Sequence, residues 1–147
     1  MDPIPAIGLI ASATQLIQMC MQTVDCIRRL HWKQSEAGDS LLAIQQECTT
    51  IKAAVESIED WAKTPAAKSR AKQCSSLDAA MKGFLPSLIA LQEDVRASLV
   101  KGTRKDGSMS VGGRISFLWD EDKMNYHLRK VRRESRQLHF LVSTISL

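Results

Sequence analysis

A chain of 147 residues is long enough to form one domain with a substantial core. Its 44% apolar and 24% charged residues, with seven Gly and four Pro, are typical of a globular domain and exclude a collagen-like or disordered chain. Residues 1–64 carry 5 Lys/Arg and 8 Asp/Glu, a net charge of −3, whereas residues 65–147 carry the other 15 and 8, a net charge of +7. This basic half favours anionic partners, and a solvated basic surface is the alternative explanation.

The first segment is predicted to be a helix that begins near Pro3–Pro5 and ends within residues 33–38. Its apolar stripe is wide, which indicates burial on several sides. Residues 4–24 contain no charge. However, no basic region precedes them and Gln and Thr interrupt them, so we expect neither a signal peptide nor a membrane span in the resting form. The apolar positions are Ile7, Leu9, Ile10, Leu16, Ile17, Met21, Val24, Ile27 and Leu30.

The second segment has the most regular pattern, in which apolar residues alternate spacings of three and four as on one face of a helix. Asp39 or Ser40 can cap its first turn, and Thr64-Pro65 ends it, because proline disfavours a helical residue before it. The positions that follow this spacing are Leu41, Ile44, Cys48, Ile51, Val55 and Ile58, continued by Trp61 or Ala62.

The third segment is predicted from about Ala66 to Val100. Pro86 lies in its middle, where proline removes a backbone hydrogen bond and clashes with the preceding turn. We therefore expect either a kink near Gly83–Leu85 or two shorter helices that meet there. The apolar positions are Cys74, Leu77, Met81, Phe84, Leu88, Leu91, Val95 and Leu99.

Residues from about 101 to 114 are rich in glycine, serine and charge, and predict a flexible loop. The fourth helical segment follows from about Phe117 to Ser146, and the acidic cluster at 120–122 suits the positive end of its dipole. Its heptad positions are Met124, Leu128, Val131, Ser135, Leu138, Val142 and Ile145.

The pattern predicts a single all-α domain over residues 1–147, an antiparallel bundle of about four long helices. We expect the natural protein to continue beyond Leu147, because the chain stops on an apolar residue. All four cysteines fall on or beside apolar helix faces, which suits buried, reduced thiols in a cytosolic protein. They are Cys20, Cys26, Cys48 and Cys74.

No enzyme activity, cofactor or metal site is predicted. Cys20 and Cys26 point about 120° apart around a helix, so they cannot share one ion. The three histidines lack helical partners that would complete a site, and His127 and His139 are expected at surface or edge positions. The stretch Gly107–Arg114 resembles a phosphate loop only superficially, since it lacks the Lys-Ser/Thr pair and a preceding strand.

One charge cluster stands out on the fourth helix, where five cations fall within eight residues and avoid the apolar stripe. Near an anionic membrane each could contribute about 1 kcal/mol. No aromatic residue lies among them for base stacking, so we expect no nucleic-acid partner. The alternative is ordinary solvation. The five residues are Arg129, Lys130, Arg132, Arg133 and Arg136.

The opening residues Met1 to Ser12, with Met-Asp-Pro followed by an apolar helix rich in small residues, resemble the start of N-terminal domains of fungal NOD-like (STAND) receptors. The end of the chain is similar to the same domains. There Arg114–Trp119 leads through an acidic turn into a long basic helix that finishes at Ile145.

This resemblance implies a HeLo-like helical bundle ahead of a nucleotide-binding oligomerisation module. It further implies a cytoplasmic effector of regulated cell death or incompatibility, which self-associates and can be recruited to anionic membranes. A non-toxic protein–protein adaptor bundle is the alternative. The anionic-lipid face would be the five cations, and the candidate membrane helix would use six residues for which packing in the core is the alternative. These six residues are Ile4, Ile7, Leu9, Ile10, Leu16 and Ile17.

Overall fold

The computed structural model describes residues 4–33, 39–102 and 121–145, and these ranges contain five α-helices and no strand. The predicted all-α class is therefore confirmed. Four of the helices are long, with 30, 24, 32 and 23 residues. The elements are α1 (Ile4–Lys33), α2 (Asp39–Ala62), α3 (Pro65–Lys68), α4 (Ala71–Gly102) and α5 (Glu121–Ser143).

Helix α2 forms as its sequence predicts. Every position of its three-four pattern is buried, from Leu41 to Ile58, and so are Trp61 and Ala62. The flank of α2 beside α1 carries an ion pair between Lys52 and Glu56, whose atoms lie 2.5 Å apart one turn from each other. The helix stops where the Thr64 N–H donates a hydrogen bond to the Trp61 carbonyl oxygen over 2.9 Å, just before Pro65.

The predicted third segment is two helices rather than one. Pro65 begins the single turn of α3, where its missing N–H costs nothing. The chain then turns at Ser69–Arg70, and the Arg70 N–H donates to the Ala67 carbonyl oxygen over 3.1 Å. The Cys74 thiol donates to the same oxygen over 3.4 Å, which ties α4 to the short helix. The segment therefore turns at Ser69–Arg70 before the long helix begins.

Helix α4 is continuous through Pro86, so the expected division into two shorter helices is wrong. Pro86 is exposed, while Phe84 and Leu88 on either side of it are buried in the same core. Apolar contacts on both sides of Pro86 keep the helix continuous although one backbone hydrogen bond is lost. The helix extends to Gly102, so residues 101 and 102 of the predicted loop are helical. Residues 103–114 of that loop lie outside the described ranges.

Helix α5 buries its predicted heptad positions except Val142, which is half-buried. The predicted start at residues 117–120 lies outside the described ranges, and the helical part ends at Ser143, three residues before the predicted end. The outer surface of α5 is thereby left to its charged residues and to the exposed Tyr126 and Phe140.

One apolar core joins all five helices. Helix α1 packs mainly on α2 and α4, helix α5 packs on the same two helices, and α3 contacts α1, α2 and α4. Helices α1 and α5 therefore occupy opposite corners of the bundle. Polar contacts supplement the core, because Ser12 of α1 donates to Asp78 of α4 and Thr14 donates to Glu59 of α2 over 2.9 Å.

Candidate interaction surfaces on α1, α2 and α5

The outer face of α5 combines cations with exposed aromatic rings. Tyr126, Arg133 and Phe140 are each seven residues apart, so they lie about 10 Å apart on nearly one line along the helix. Tyr126 is 55% exposed and Phe140 is 71% exposed. Arg129 and Arg136 are exposed beside this line. We call these five residues the arginine–aromatic stripe.

The structure does not bring all five predicted cations onto one face. Arg132 and Lys130 are two residues apart and point about 160° from each other. Arg132 leans toward α2, where its Nε lies 3.5 Å from Glu47 Oε1. Lys130 is half-buried and falls between His127 and Glu134, which both contact α4. Three arginines remain on the outermost face, flanked by one cation on each side.

A polar contact fixes α5 to α4, and it overturns one expectation. His127 is buried rather than at a surface or edge position, and its Nε2 lies 2.6 Å from Asp94 Oδ2. Lys123 Nζ lies 3.9 Å from the other oxygen of Asp94. An imidazole can be buried beside the inward heptad positions because this carboxylate satisfies its ring nitrogen. The partner is 33 residues away in the chain, so local spacing could not reveal it.

A second contact on the same flank joins Ser87, which follows Pro86, to Glu134. The Ser87 hydroxyl donates to Glu134 Oε1 over 2.6 Å. The other oxygen of Glu134 is buried without a protein hydrogen-bond partner in the described chain. Glu134 therefore faces α4 and does not neutralise the arginines on the outer face.

On the α2 flank, His139 is exposed, as expected for a surface position. Its Nδ1 lies 2.7 Å from the Ser135 carbonyl oxygen, so this nitrogen donates. His139, Arg132 and Arg136 line an open cavity of about 400 Å³ between α2 and α5. Glu47 lines the same cavity, so a carboxylate offsets part of its positive charge.

The six residues of the candidate membrane helix do not share one face. Leu9 and Leu16 are fully buried in the core, and Ile10 and Ile17 are partly buried against it. Ile4 and Ile7 are exposed at 69% and 61%, although their apolar character suggested the core. The segment Ile4–Arg29 is long and apolar enough to cross a bilayer, a property that buried core helices share. Among the described helices, only this one has that property.

An open groove runs along the seam between α1 and α2. It consists of two adjoining cavities of about 400 Å³ and 260 Å³, which share Met21 and Lys52. Ile17 and Met21 contribute apolar surface, and Met21 is 50% exposed. The groove extends from Thr14 to Arg28. Four carboxylates line it against two cations, and these charged residues are Asp25, Arg28, Lys52, Glu56, Glu59 and Asp60.

All four cysteines are free and buried, as the sequence predicts. Burial raises the pKa of Cys20 from 9.0 to about 12, and the positive charge of Lys52 offsets a smaller part of this rise. Burial likewise raises the pKa of Cys48 and of Cys74. These thiols therefore stay protonated and unreactive at neutral pH. Across residues 4–33, 39–102 and 121–145, no group of three or more His, Cys, Asp or Glu could hold a metal ion.

Sequence reasoning missed two of these features. Tyr126 and Phe140 fall seven residues on either side of Arg133 and off the inward heptad, so their spacing alone could have placed them on the outer face. The α1–α2 groove needs the relative placement of two helices, which no local pattern supplies. Together these surfaces offer charge and apolar contact to a partner.

Comparisons with protein-family models, with curated proteins and with solved structures found no match to this chain.

Proposed function

We propose that this chain is the N-terminal signalling or effector domain of a fungal NOD-like (STAND) receptor. In this role the bundle self-associates and contacts anionic membrane surfaces in regulated cell death or incompatibility. The full-length receptor would supply a nucleotide-binding module that drives the association, in the cytoplasm or at a membrane. The chain itself needs no cofactor in this role and contacts no nucleic acid.

The arginine–aromatic stripe is the observation that carries this proposal. Its three arginines are exposed, and Phe140 leaves most of its ring in water. Aromatic rings favour the headgroup level of a bilayer, and each nearby cation adds about 1 kcal/mol of attraction to anionic lipid. A solvated basic surface would not need exposed rings at both ends of the cationic row. Lipid contact therefore accounts for both kinds of side chain.

We expect α1 to be released toward a membrane beginning at its first two turns. Ile4 and Ile7 are already exposed there, and no charged residue occurs between Ile4 and Val24. The buried Leu9 and Leu16 would have to leave the core, so we expect this step to follow self-association rather than to occur in the resting bundle.

We further infer that the four long helices alternate in direction along the chain. Two contacts join α4 to α5, Ser87 with Glu134 and Asp94 with His127. The residue number increases from 87 to 94 along α4 while it decreases from 134 to 127 along α5, which favours an antiparallel pair. Among the four long helices, α1 is the first and α4 is the third, so alternating directions would make these two helices parallel. Their hydrogen bonds, Ser12 to Asp78 and Gln92 to Gln22, rise together on both helices.

The second candidate is an adaptor bundle that recruits a protein partner without touching lipid. The α1–α2 groove favours this candidate, because it offers the apolar Met21 beside charged residues. Lipid binding distinguishes the two functions directly.

The test is co-sedimentation with vesicles of anionic or neutral lipid at two salt concentrations. We expect the wild type to bind anionic vesicles and to bind less at higher salt, since exposed charges are screened beyond about 8–10 Å at physiological ionic strength. Replacing the three stripe arginines should abolish this binding while leaving the fold intact. The replacements are Arg129→Glu, Arg133→Glu and Arg136→Glu.

A matched control reverses three exposed cations away from the stripe and changes the net charge by the same amount. These are Lys68→Glu, Lys72→Glu and Arg96→Glu. Equal binding by the stripe variant and the wild type would exclude the stripe as the lipid contact. No binding of the wild type to anionic vesicles at low protein concentration, where its stripe is not docked in a second copy, would favour the adaptor.

A further inference from the structure

We propose that the arginine–aromatic stripe of one copy docks in the α1–α2 groove of a second copy, in a head-to-tail contact. This inference rests on the self-association in the proposed function and assigns the two surfaces that carry it. The occupant of the groove is a second copy of this chain, through the outer face of its α5.

Charge complementarity selects this occupant. The groove has four carboxylates against two cations, and Glu56 and Asp60 are exposed on its α2 side. Lys52 pairs with Glu56, and Lys63 beside the groove pairs with Glu59, so the groove stays net negative by a small margin.

The stripe presents three exposed arginines, and one exposed carboxylate, Asp122, lies on the same face one turn before Tyr126. Opposite potentials steer the two surfaces together, whereas groove against groove or stripe against stripe would repel. The contact therefore favours unlike surfaces over like ones.

The two surfaces also match in length and in apolar content. The stripe spans 15 residues from Tyr126 to Phe140, and the α1 side of the groove spans 15 residues from Thr14 to Arg28, so the end residues lie about 21 Å apart along the helix in each case. Met21 is half-exposed in the middle of the groove, where an aromatic ring can cover it. A methionine sulfur packs favourably against the edge of such a ring.

The position of the surfaces determines the kind of assembly. Helices α1 and α5 occupy opposite corners of the bundle, so one molecule cannot place its own stripe in its own groove. Each docked copy leaves one free groove and one free stripe, and further copies can add to both ends. Such a heterologous contact builds rings or open filaments rather than a closed dimer.

The contact also sets self-association against lipid binding, because a stripe held in a groove cannot reach a membrane. Anionic vesicles and a second copy therefore compete for the same arginines. With only five side chains in the stripe, the contact belongs with small, transient interfaces, so association of the isolated domain needs high protein concentration.

Charge exchange between the two surfaces tests the proposal by sedimentation equilibrium over a wide concentration range. The groove variant carries Glu56→Arg and Asp60→Arg, and the stripe variant carries Arg129→Glu and Arg133→Glu. Glu59 is left unchanged because Thr14 donates a hydrogen bond to it. Circular dichroism checks that each variant keeps the wild-type helix content, and Gln replaces the new residue wherever a reversal prevents folding.

We expect each variant alone to self-associate about 100-fold more weakly than the wild type, because like charges then face each other. An equimolar mixture should restore association to within about tenfold of the wild type, since both kinds of contact are then between opposite charges. The control Lys72→Glu with Arg96→Glu should associate like the wild type. The groove variant should still bind anionic vesicles, whereas the stripe variant should not.

Each failure has its own signature. If the wild type self-associates and each variant self-associates as strongly as the wild type, the two assigned surfaces are wrong and self-association stands. If the wild type stays monomeric up to its solubility limit, both the assigned contact and self-association through this domain are overturned. Restored association in the mixture without vesicle binding by the wild type would support the contact and exclude the lipid role.

Discussion

Single buried side chains determine whether the core forms. Ile51 is fully buried at the centre of α2. We expect Ile51→Asp to lower the free energy of unfolding by about 4 kcal/mol or more, because a carboxylate would be buried there without a partner. Urea denaturation followed by circular dichroism measures the change. The control Ala53→Asp, at an exposed position two residues later, should cost less than about 1 kcal/mol. Near-wild-type stability of Ile51→Asp would contradict the packing of α2.

The buried thiol of Cys20 links stability to alkaline pH. An unfolded thiol loses its proton near 9.0, whereas burial holds the folded pKa of Cys20 at about 12. The unfolded state therefore binds fewer protons in this window, and stability falls as pH rises through it. One thiol contributes at most about 1.4 kcal/mol per pH unit. Cys20→Ala should flatten the alkaline slope by up to that amount in urea titrations, and identical slopes for the two proteins would contradict the shift.

Whether a side chain is buried or exposed could be predicted from the sequence for some residues and not for others. The inward positions of α2 and α5 follow from three-four spacing, because those helices have one polar side and one apolar side. Ile7 and Met21 are exposed although α1 is apolar on most of its circumference, so spacing could not select which side meets the core. His127 was misplaced because its partner Asp94 lies on another helix.

Helix α4 tolerates a proline that local rules place at a break. We expect Pro86→Ala to raise the free energy of unfolding by about 1–3 kcal/mol, because alanine supplies the missing N–H and removes the ring. Thermal and urea unfolding measure the gain. The matched change Ala90→Pro, at an exposed position one turn later, should instead cost about 3 kcal/mol. A loss of stability in Pro86→Ala would mean that the helix depends on the proline.

Element boundaries were harder to predict than element types. The turn at Ser69–Arg70 contains neither glycine nor proline, so no local signal separated α3 from α4. The end of α4 at Gly102 extends into a stretch whose composition suggested a loop. At Ser69–Arg70 the hydrogen bonds to Ala67 decide where α3 ends. At the other end of α4 the helix continues through residues whose composition is typical of a loop.

The single core predicts that the whole molecule unfolds in one transition. Trp61 is buried at the end of α2, and circular dichroism reports on all the helices together. In a background with Trp32→Phe and Trp119→Phe, the fluorescence of Trp61 and the helical signal should change at the same denaturant concentration. Separate midpoints would mean that part of the bundle unfolds independently of the core around α2.

The corner position of α1 has a mechanical consequence. Its main interfaces are with α2 and α4, and those two helices both remain in contact with α5 when α1 leaves. A sideways pull on the first turn would peel α1 away one turn at a time, loading only the contacts at the advancing edge. A pull along the helix axis would load the whole length in shear and meet far greater resistance. Any partner that extracts α1 therefore meets least resistance by drawing it outward one turn at a time, and the four described helices left behind would expose the apolar surface that α1 covers.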